Sequence, residues 1–248
     1  MKRNEFIKIS GISGLGLAIF PQLSFNHFSE TFTRNQLIGK GNPDIVGESY
    51  TSKMHKTAKQ AFLKMKAAAA EENIAIEVVS AYRSFQRQKE IFEGKYQRFT
   101  NEGLAPEKAI EKIIEYSTIP GTSRHHWGTD IDIIDANAPR PANVLVPENF
   151  HGNGPFCKLK MWLNDHAEKF DFYEVYTDNG NRKGFKYEPW HFSYAPISVP
   201  MLKAYKEQID VKKMLSDEKI LGSEHFSEAF VSKYVKENIL DINPMLLS

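Results

Sequence analysis

Between Ser123 and Asp132 the chain reads Ser-Arg-His-His-Trp-Gly-Thr-Asp-Ile-Asp, with two adjacent histidines and two alternating aspartates. No other stretch gathers nitrogen and oxygen metal ligands so densely. A shorter cluster follows at Glu188-Pro189-Trp190-His191. A catalytic zinc site takes three protein ligands and keeps a fourth position open. His125 and Asp132 lie seven residues apart, and His191 can be the third ligand. Two imidazoles and a carboxylate form a mixed nitrogen and oxygen set that suits zinc. Hydrolysis at such a centre also needs a base for the attacking water. Glu188, three residues before His191, is the candidate. Arg83 is a candidate donor to a carbonyl oxygen or a terminal carboxylate.

These residues need elements to position them. Residues 54–72 read as a helix, with Ala58, Ala61, Phe62, Met65 and Ala69 at helical spacing. Residues 74–82 read as a strand that delivers Arg83. Ser84 can cap a helix running to about Phe99. Pro106 suits the first position of another, running to about Tyr116. After Gly128 the alternation predicts a strand with Asp130 and Asp132 on one face and Ile131 and Ile133 on the other. Residues 136–155, rich in Pro, Asn and Gly, read as a long surface loop. A helix is expected over 157–170, a strand over 172–176, a turn at 178–181 and a returning strand over 185–194. Simple alternation would set Glu188 and His191 on opposite faces of that last strand. Pro189 cannot donate to a ladder, which predicts a bulge or break that lets both reach one cleft. The fold class expected is α+β, a small antiparallel sheet with helices packed on it, followed by a charged helical tail.

With 248 residues, 41% hydrophobic and 25% charged, the chain can bury a substantial core. A net charge of +1, with the basic residues dispersed, supplies no field for nucleic acid. The single cysteine, Cys157, excludes an intrachain disulfide and reads as a structural thiol.

The N-terminus carries Lys2, Arg3 and Lys8, then an uncharged, mostly apolar run from Ile9 to Phe20. A basic start, a short apolar run and a polar exit describe an export signal over residues 1–24, cleaved or retained as an anchor. The run is shorter than the ~20 apolar residues of an ordinary membrane span. Residues 25–50 read as a linker, 51–198 as the chemical domain and 199–248 as a helical extension. The expected location is outside the cytoplasm, in the periplasm or cell envelope. An uncleaved N-terminal segment is the one membrane contact expected.

Three segments together resemble a known family. Ser123-x-His125-x-x-Gly128-x-Asp130-x-Asp132 resembles the S-x-H-x-x-G-x-[A/D]-x-D motif of zinc D-alanyl-D-alanine carboxypeptidases of the VanY type. Glu188-Pro189-Trp190-His191 is similar to that family's E-P-W-H box, and the run from Ser80 to Gln88 to its S-x-Y-R-S-x-x-x-Q segment. Their order and spacing are those of the family, over roughly residues 50 to 196. The resemblance implies an α+β fold of the hedgehog/DD-peptidase kind and one zinc ion per chain held by His125, Asp132 and His191. It implies Glu188 as general base and proton donor, and Arg83 at the reacting carbonyl. Ser123 and Gln88 would help hold the substrate, a peptidoglycan stem peptide ending in D-amino acids. His126 and Asp130 fall at variable positions and are expected behind the ligands. The other readings are an endopeptidase or dipeptidase on the same scaffold, and a non-catalytic zinc module that binds wall peptides.

Overall fold

A strand of six buried residues, Asp130–Asp135, lies inside the main sheet in this computed structural model, which describes residues 31–247. The expected export signal lies outside the described residues. The elements, in chain order, begin with a one-turn helix α1 (Arg34–Leu37) and a two-stranded ribbon, β1 (Ile45–Val46) with β2 (Met54–His55). Then come helix α2 (Lys56–Glu71), strand β3 (Ile76–Ser80) and helices α3 (Phe85–Asn101) and α4 (Pro106–Ile113). Strand β4 is Asp130–Asp135, helix α5 is Cys157–His166, and strands β5 (Phe172–Glu174) and β6 (His191–Tyr194) follow. Helices α6 (Ala195–Gln208), α7 (Val211–Asp217) and α8 (Glu228–Tyr234) complete the order. Among the described residues no helix is long and apolar enough to cross a membrane.

The main sheet is antiparallel with the order β3-β4-β6-β5. Its register aligns Ser80 with Asp132 and Asp132 with His191, so three polar residues form one row across three strands. The alternate positions Ile131 and Ile133 enter the core, as strand periodicity requires. Around the sheet the helices bury the stripes that their spacing dictates. Helix α2 buries Ala58, Phe62, Met65 and Ala69, and α3 buries Phe85, Gln88, Phe92, Tyr96 and Phe99. Ser84 caps α3 by accepting from the Arg87 N–H at 3.2 Å, and Pro106 opens α4.

The fold class is the one expected, α+β with helices on a small antiparallel sheet. Four local expectations differ. The returning strand begins only at His191, because Pro189 lacks an N–H and the chain turns, the His191 N–H donating to the Glu188 carbonyl at 3.0 Å. The segment 136–155 is not wholly a surface loop: a 3-10 turn at Pro147–Phe150 buries Phe150 against Phe156 and Trp190, ring centroids 5.2 and 5.7 Å away. Residues 31–50 are built into the body rather than strung as a linker, with Phe32, Leu37 and Ile38 buried and the Trp127 indole N–H donating to the Leu37 carbonyl at 3.0 Å. The segment after residue 199 is likewise part of the core, burying Met201, Leu202, Tyr205, Met214 and Tyr234. In the last three cases apolar side chains outside the expected core still have buried surface to gain.

Candidate metal centre and cleft

The run from Ser123 to Asp132 folds as a 3-10 turn, Arg124–Trp127, that hands over to β4 through Gly128. Gly128 has φ +70°, and a Cβ there would stand 2.3 Å from Ile45 Cδ1 and 2.8 Å from the His55 nitrogen. The motif glycine therefore meets both a backbone and a space requirement. The turn sets the His125 ring above β4, while the β4–β6 register sets Asp132 beside His191. One donor atom from each of His125, Asp132 and His191 lies within 4.8 Å of the others, and all three residues are buried.

The orientation of the two rings shows which nitrogens face inward. His125 Nδ1 is 2.8 Å from the Ala81 carbonyl, which can only accept, so the proton sits on Nδ1. Nε2 is left to face Asp132 Oδ2 at 3.4 Å. His191 presents Nε2 to Asp130 Oδ2 at 2.9 Å and Nδ1 to Asp132 Oδ1 at 3.6 Å. Each imidazole is thus anchored through its outer nitrogen, one to a carbonyl and one to a carboxylate, as metal-binding histidines usually are. Asp132 Oδ1 is buried with no hydrogen-bond partner among the described residues. An inward-facing pair of imidazole nitrogens and an unsatisfied carboxylate oxygen fit a zinc ion.

Asp130 holds this arrangement from behind. Its Oδ1 accepts from Thr129 Oγ1 at 2.8 Å and Ser193 Oγ at 2.6 Å, and its Oδ2 from Arg124 Nε at 2.9 Å. Arg124 Nη2 donates to Ser193 Oγ at 2.7 Å and closes the ring. Burial alone would push the Asp130 carboxyl up, but the Arg124 guanidinium and His191 outweigh it and hold the group below the usual carboxylate range. Burial would lower His191, and its hydrogen bonds to Asp130 and Glu188 instead push it up to about 10.

Glu188 reaches the same centre, Oε2 lying 2.9 Å from His191 Nδ1. Burial raises its pKa against the opposing pull of His191. The break at Pro189 is what brings Glu188 and His191 to one side. Arg83 is fastened by its backbone N–H to the His125 carbonyl at 3.0 Å. Its guanidinium donates to Gln88 Oε1 at 2.8 Å and Ser80 Oγ at 3.0 Å.

A cavity of about 450 Å³ opens over the centre, and Arg83, Ser123, His125, Asp132, Glu188 and His191 contribute to its wall. Gln88, expected to touch substrate, does not line it. Fully buried, it spends its amide on Arg83, on the Thr118 carbonyl at 2.7 Å and on Ser117 Oγ at 3.4 Å, which places it behind Arg83. His126 is also fully buried and faces away from the three donors. Its Nδ1–H donates to the Arg83 carbonyl at 2.6 Å, and its Nε2 accepts from the Gly121 N–H at 3.1 Å.

Sequence reasoning missed two parts of the site. Ser193 lies two residues past His191, on the same face of β6, and that alternation could have shown it. Tyr176, whose ring meets His191 edge-on at 5.1 Å, gives no local signal.

The chain is similar to several known proteins. The chain is 32% identical over 123 residues to an uncharacterized protein of Haemophilus influenzae, covering 47% of this chain and 92% of that one. It is 28% identical over 143 residues to a D-alanyl-D-alanine carboxypeptidase of Enterococcus faecalis, covering 57% of this chain and 48%, about half, of that relative. Among solved structures, VanYB in complex with D-alanine-D-alanine shares the fold with a TM-score of 0.51 and 22% identity, over 73% of this chain and 92% of that one. The vancomycin resistance D,D-pentapeptidase VanY in complex with Zn(II) aligns with a TM-score of 0.49 and 22% identity, over 66% of this chain and 85% of that one. The sequence profile of the VanY family, described as D-alanyl-D-alanine carboxypeptidase, matches residues 51–197. That span exceeds half of the chain and takes in all six of the cavity residues named above, and the chain belongs to the VanY family of D-alanyl-D-alanine carboxypeptidases.

Proposed function

We propose that the protein is a zinc-dependent D-alanyl-D-alanine carboxypeptidase that hydrolyses the terminal peptide bond of peptidoglycan stem peptides. The observation that carries this reading is the placement of Glu188 beside a buried His125, Asp132 and His191 set at the floor of one cavity. A purely structural metal site has no use for a neighbouring base or for Arg83. Family membership supports the reaction class.

His125 through Nε2, Asp132 and His191 through Nδ1 would hold one zinc ion, which supplies Lewis-acid polarisation and acidifies water at the site. Glu188 takes the proton of the attacking water as its oxygen bonds to the scissile carbonyl carbon. Arg83 lies in the same wall, and its cationic fork stabilises charge developing on the carbonyl oxygen. The C–N bond then breaks, and Glu188 returns the proton to the leaving amine. A carboxylate whose pKa is raised by burial suits both duties, since it must accept and release one proton near neutral pH. Ser123 Oγ, buried in the wall with no hydrogen bond among the described residues, can donate to the peptide. Wall peptides lie outside the cytoplasm, and the basic and apolar N-terminal sequence supports export to the periplasm or cell envelope.

The test is mass spectrometry of products from defined pentapeptide, tetrapeptide and cross-linked muropeptides. Loss of one D-alanine from the pentapeptide alone is expected. Cleavage of the cross-link instead would make the protein an endopeptidase. Glu188→Gln should remove turnover while stoichiometric zinc is retained; turnover that survives both this change and chelation would overturn the mechanism.

A further inference from the structure

The cavity over the metal centre holds a cation that the proposed chemistry does not use. Lys95, on α3, lines it together with Arg83 and Glu188. The side chain is half-buried, and among the described residues no hydrogen bond, ion pair or aromatic contact engages its ammonium. The other cations of the wall are committed. Arg124 is paired with Asp130, and Arg83 is tied to Gln88 and Ser80. Lysines elsewhere on the surface find carboxylates readily, as Lys56 does with Asp44 and Lys186 with Glu115. A partly desolvated ammonium beside a guanidinium is unfavourable unless an anion joins it.

The wall around Lys95 lacks the same kind of partner. Six buried side-chain polar atoms have no hydrogen bond among the described residues, and five of them belong to residues lining this one cavity. Four can donate: Arg83 Nε, Arg124 Nη1, Thr118 Oγ1 and Ser123 Oγ. Buried polar groups are normally satisfied, so a cluster of orphaned donors beside an unpaired cation describes a site for a ligand rich in acceptors. Burial first, and then the neighbouring Arg83, lower the Lys95 pKa, while Glu188 pulls the other way, which agrees with a cation still short of its counter-charge.

We infer that Lys95 receives the C-terminal carboxylate of the substrate and so makes the enzyme an exopeptidase. This rests on the peptidase reading above. In a peptide the terminal carboxylate stands one residue beyond the scissile carbonyl, about one Cα step of ~3.8 Å. A carbonyl placed against Glu188 and Arg83 therefore presents its carboxylate to the same wall. An ammonium recognises a carboxylate as a point charge and demands little of its angle. A chain that continues past that residue carries an amide in place of the carboxylate and would leave Lys95 unpaired.

The experiment compares an acetylated peptide ending in D-Ala-D-Ala as the free acid with the same peptide as its C-terminal amide. Zinc-loaded wild type, Lys95→Met and Lys95→Arg are assayed for KM and kcat. Equilibrium binding of both peptides is measured in the Glu188→Gln background, which does not need turnover. A charge-assisted contact predicts that Lys95→Met lowers the acid-over-amide preference about tenfold or more, chiefly through KM and Kd, and that Lys95→Arg restores it. Thermal unfolding checks that the variants are folded, as a half-exposed position allows. An unchanged preference in Lys95→Met, or an equal loss for acid and amide, overturns the inference. Preferential binding of the acid without turnover in the wild type would overturn the peptidase reading and leave the carboxylate site standing, whereas binding of neither peptide would overturn both.

Discussion

Tyr205, on α6, donates its hydroxyl to the carbonyl of Gly121 at 2.9 Å, across 84 positions of sequence. Gly121 in turn donates its N–H to His126, and His126 donates to the Arg83 carbonyl. A second tyrosine, Tyr234 on α8, accepts from the Ile119 N–H at 3.0 Å and meets Thr122 Oγ1 at 2.8 Å. The segment after residue 199 thus grips the loop that leads into Ser123 and His125. Among its described residues it adds none to the candidate ligand group, yet it fixes where that group stands.

Tyr205→Phe should therefore act on both stability and turnover. It strips a buried carbonyl of its partner, at a cost of about 1–3 kcal/mol. Urea unfolding would measure that loss. On the proposed mechanism, turnover by the folded variant should fall severalfold while its zinc content matches that of the wild type, because the loop shifts and the candidate ligands remain.

Asp130→Asn tests the support behind His191. The asparagine keeps the shape but removes the charge that orients His191 Nε2–H and balances Arg124. Loss of such a carboxylate partner typically weakens metal affinity 10–100-fold. Competition with a chromophoric chelator would read this directly. Stability should fall by about 3–5 kcal/mol as well, since Arg124 becomes a buried charge without a counter-ion.

His126 sets a pH dependence whose sign is fixed by its hydrogen bonds. With Nδ1–H donating and Nε2 accepting, the ring is neutral. Burial lowers its pKa from 6.5 to about 3. Below pH 6.5 the unfolded chain takes up a proton that the folded ring refuses. Its contribution is therefore complete above that pH and is lost as pH falls toward 3, with a slope of up to about 1.4 kcal/mol per pH unit. In chelator, to exclude metal release, His126→Gln should be less stable than wild type at pH 7.5 and show an acid slope shallower by one proton. Denaturant titrations between about pH 4 and 7.5 would show it.

Gly128→Ala should destabilise the protein by roughly 1–3 kcal/mol, since alanine resists φ +70° and its methyl would overlap Ile45 Cδ1 and the His55 nitrogen. Adding Ile45→Ala should recover only part of the loss. It clears the side chain but neither the backbone contact nor the dihedral. Thermal unfolding of the two variants would separate the contributions.

The gathering of the candidate ligands was more legible in the sequence than its supports. His125, Asp132 and His191 could be read because ligand chemistry needs rare residue types at tight spacing, and because alternation along β4 places Asp130 and Asp132 on one face. Glu188 could be read because Pro189 signals the break that brings it round. Gln88 was misplaced, since nothing local shows that its amide is consumed by Arg83 and the 117–118 backbone. Leu37, Tyr205 and Tyr234 could not be read, because a leucine or tyrosine that grips a distant loop has the same local pattern as one that only fills the core. Lys95 had no signal at all: a lysine on a helix reads as solvated until the wall opposite it is known.

The pairing of Asp132 with His191 across β4 and β6 has a further consequence. Two of the three donors sit opposite each other on hydrogen-bonded strands, so a slip of one residue would bring Trp190 or Phe192 opposite Asp132 and turn the imidazole to the other face. The centre thereby works as a registration mark for the sheet. Zinc uptake by a fresh preparation should report the fraction of chains whose strands are correctly aligned, before any substrate is added.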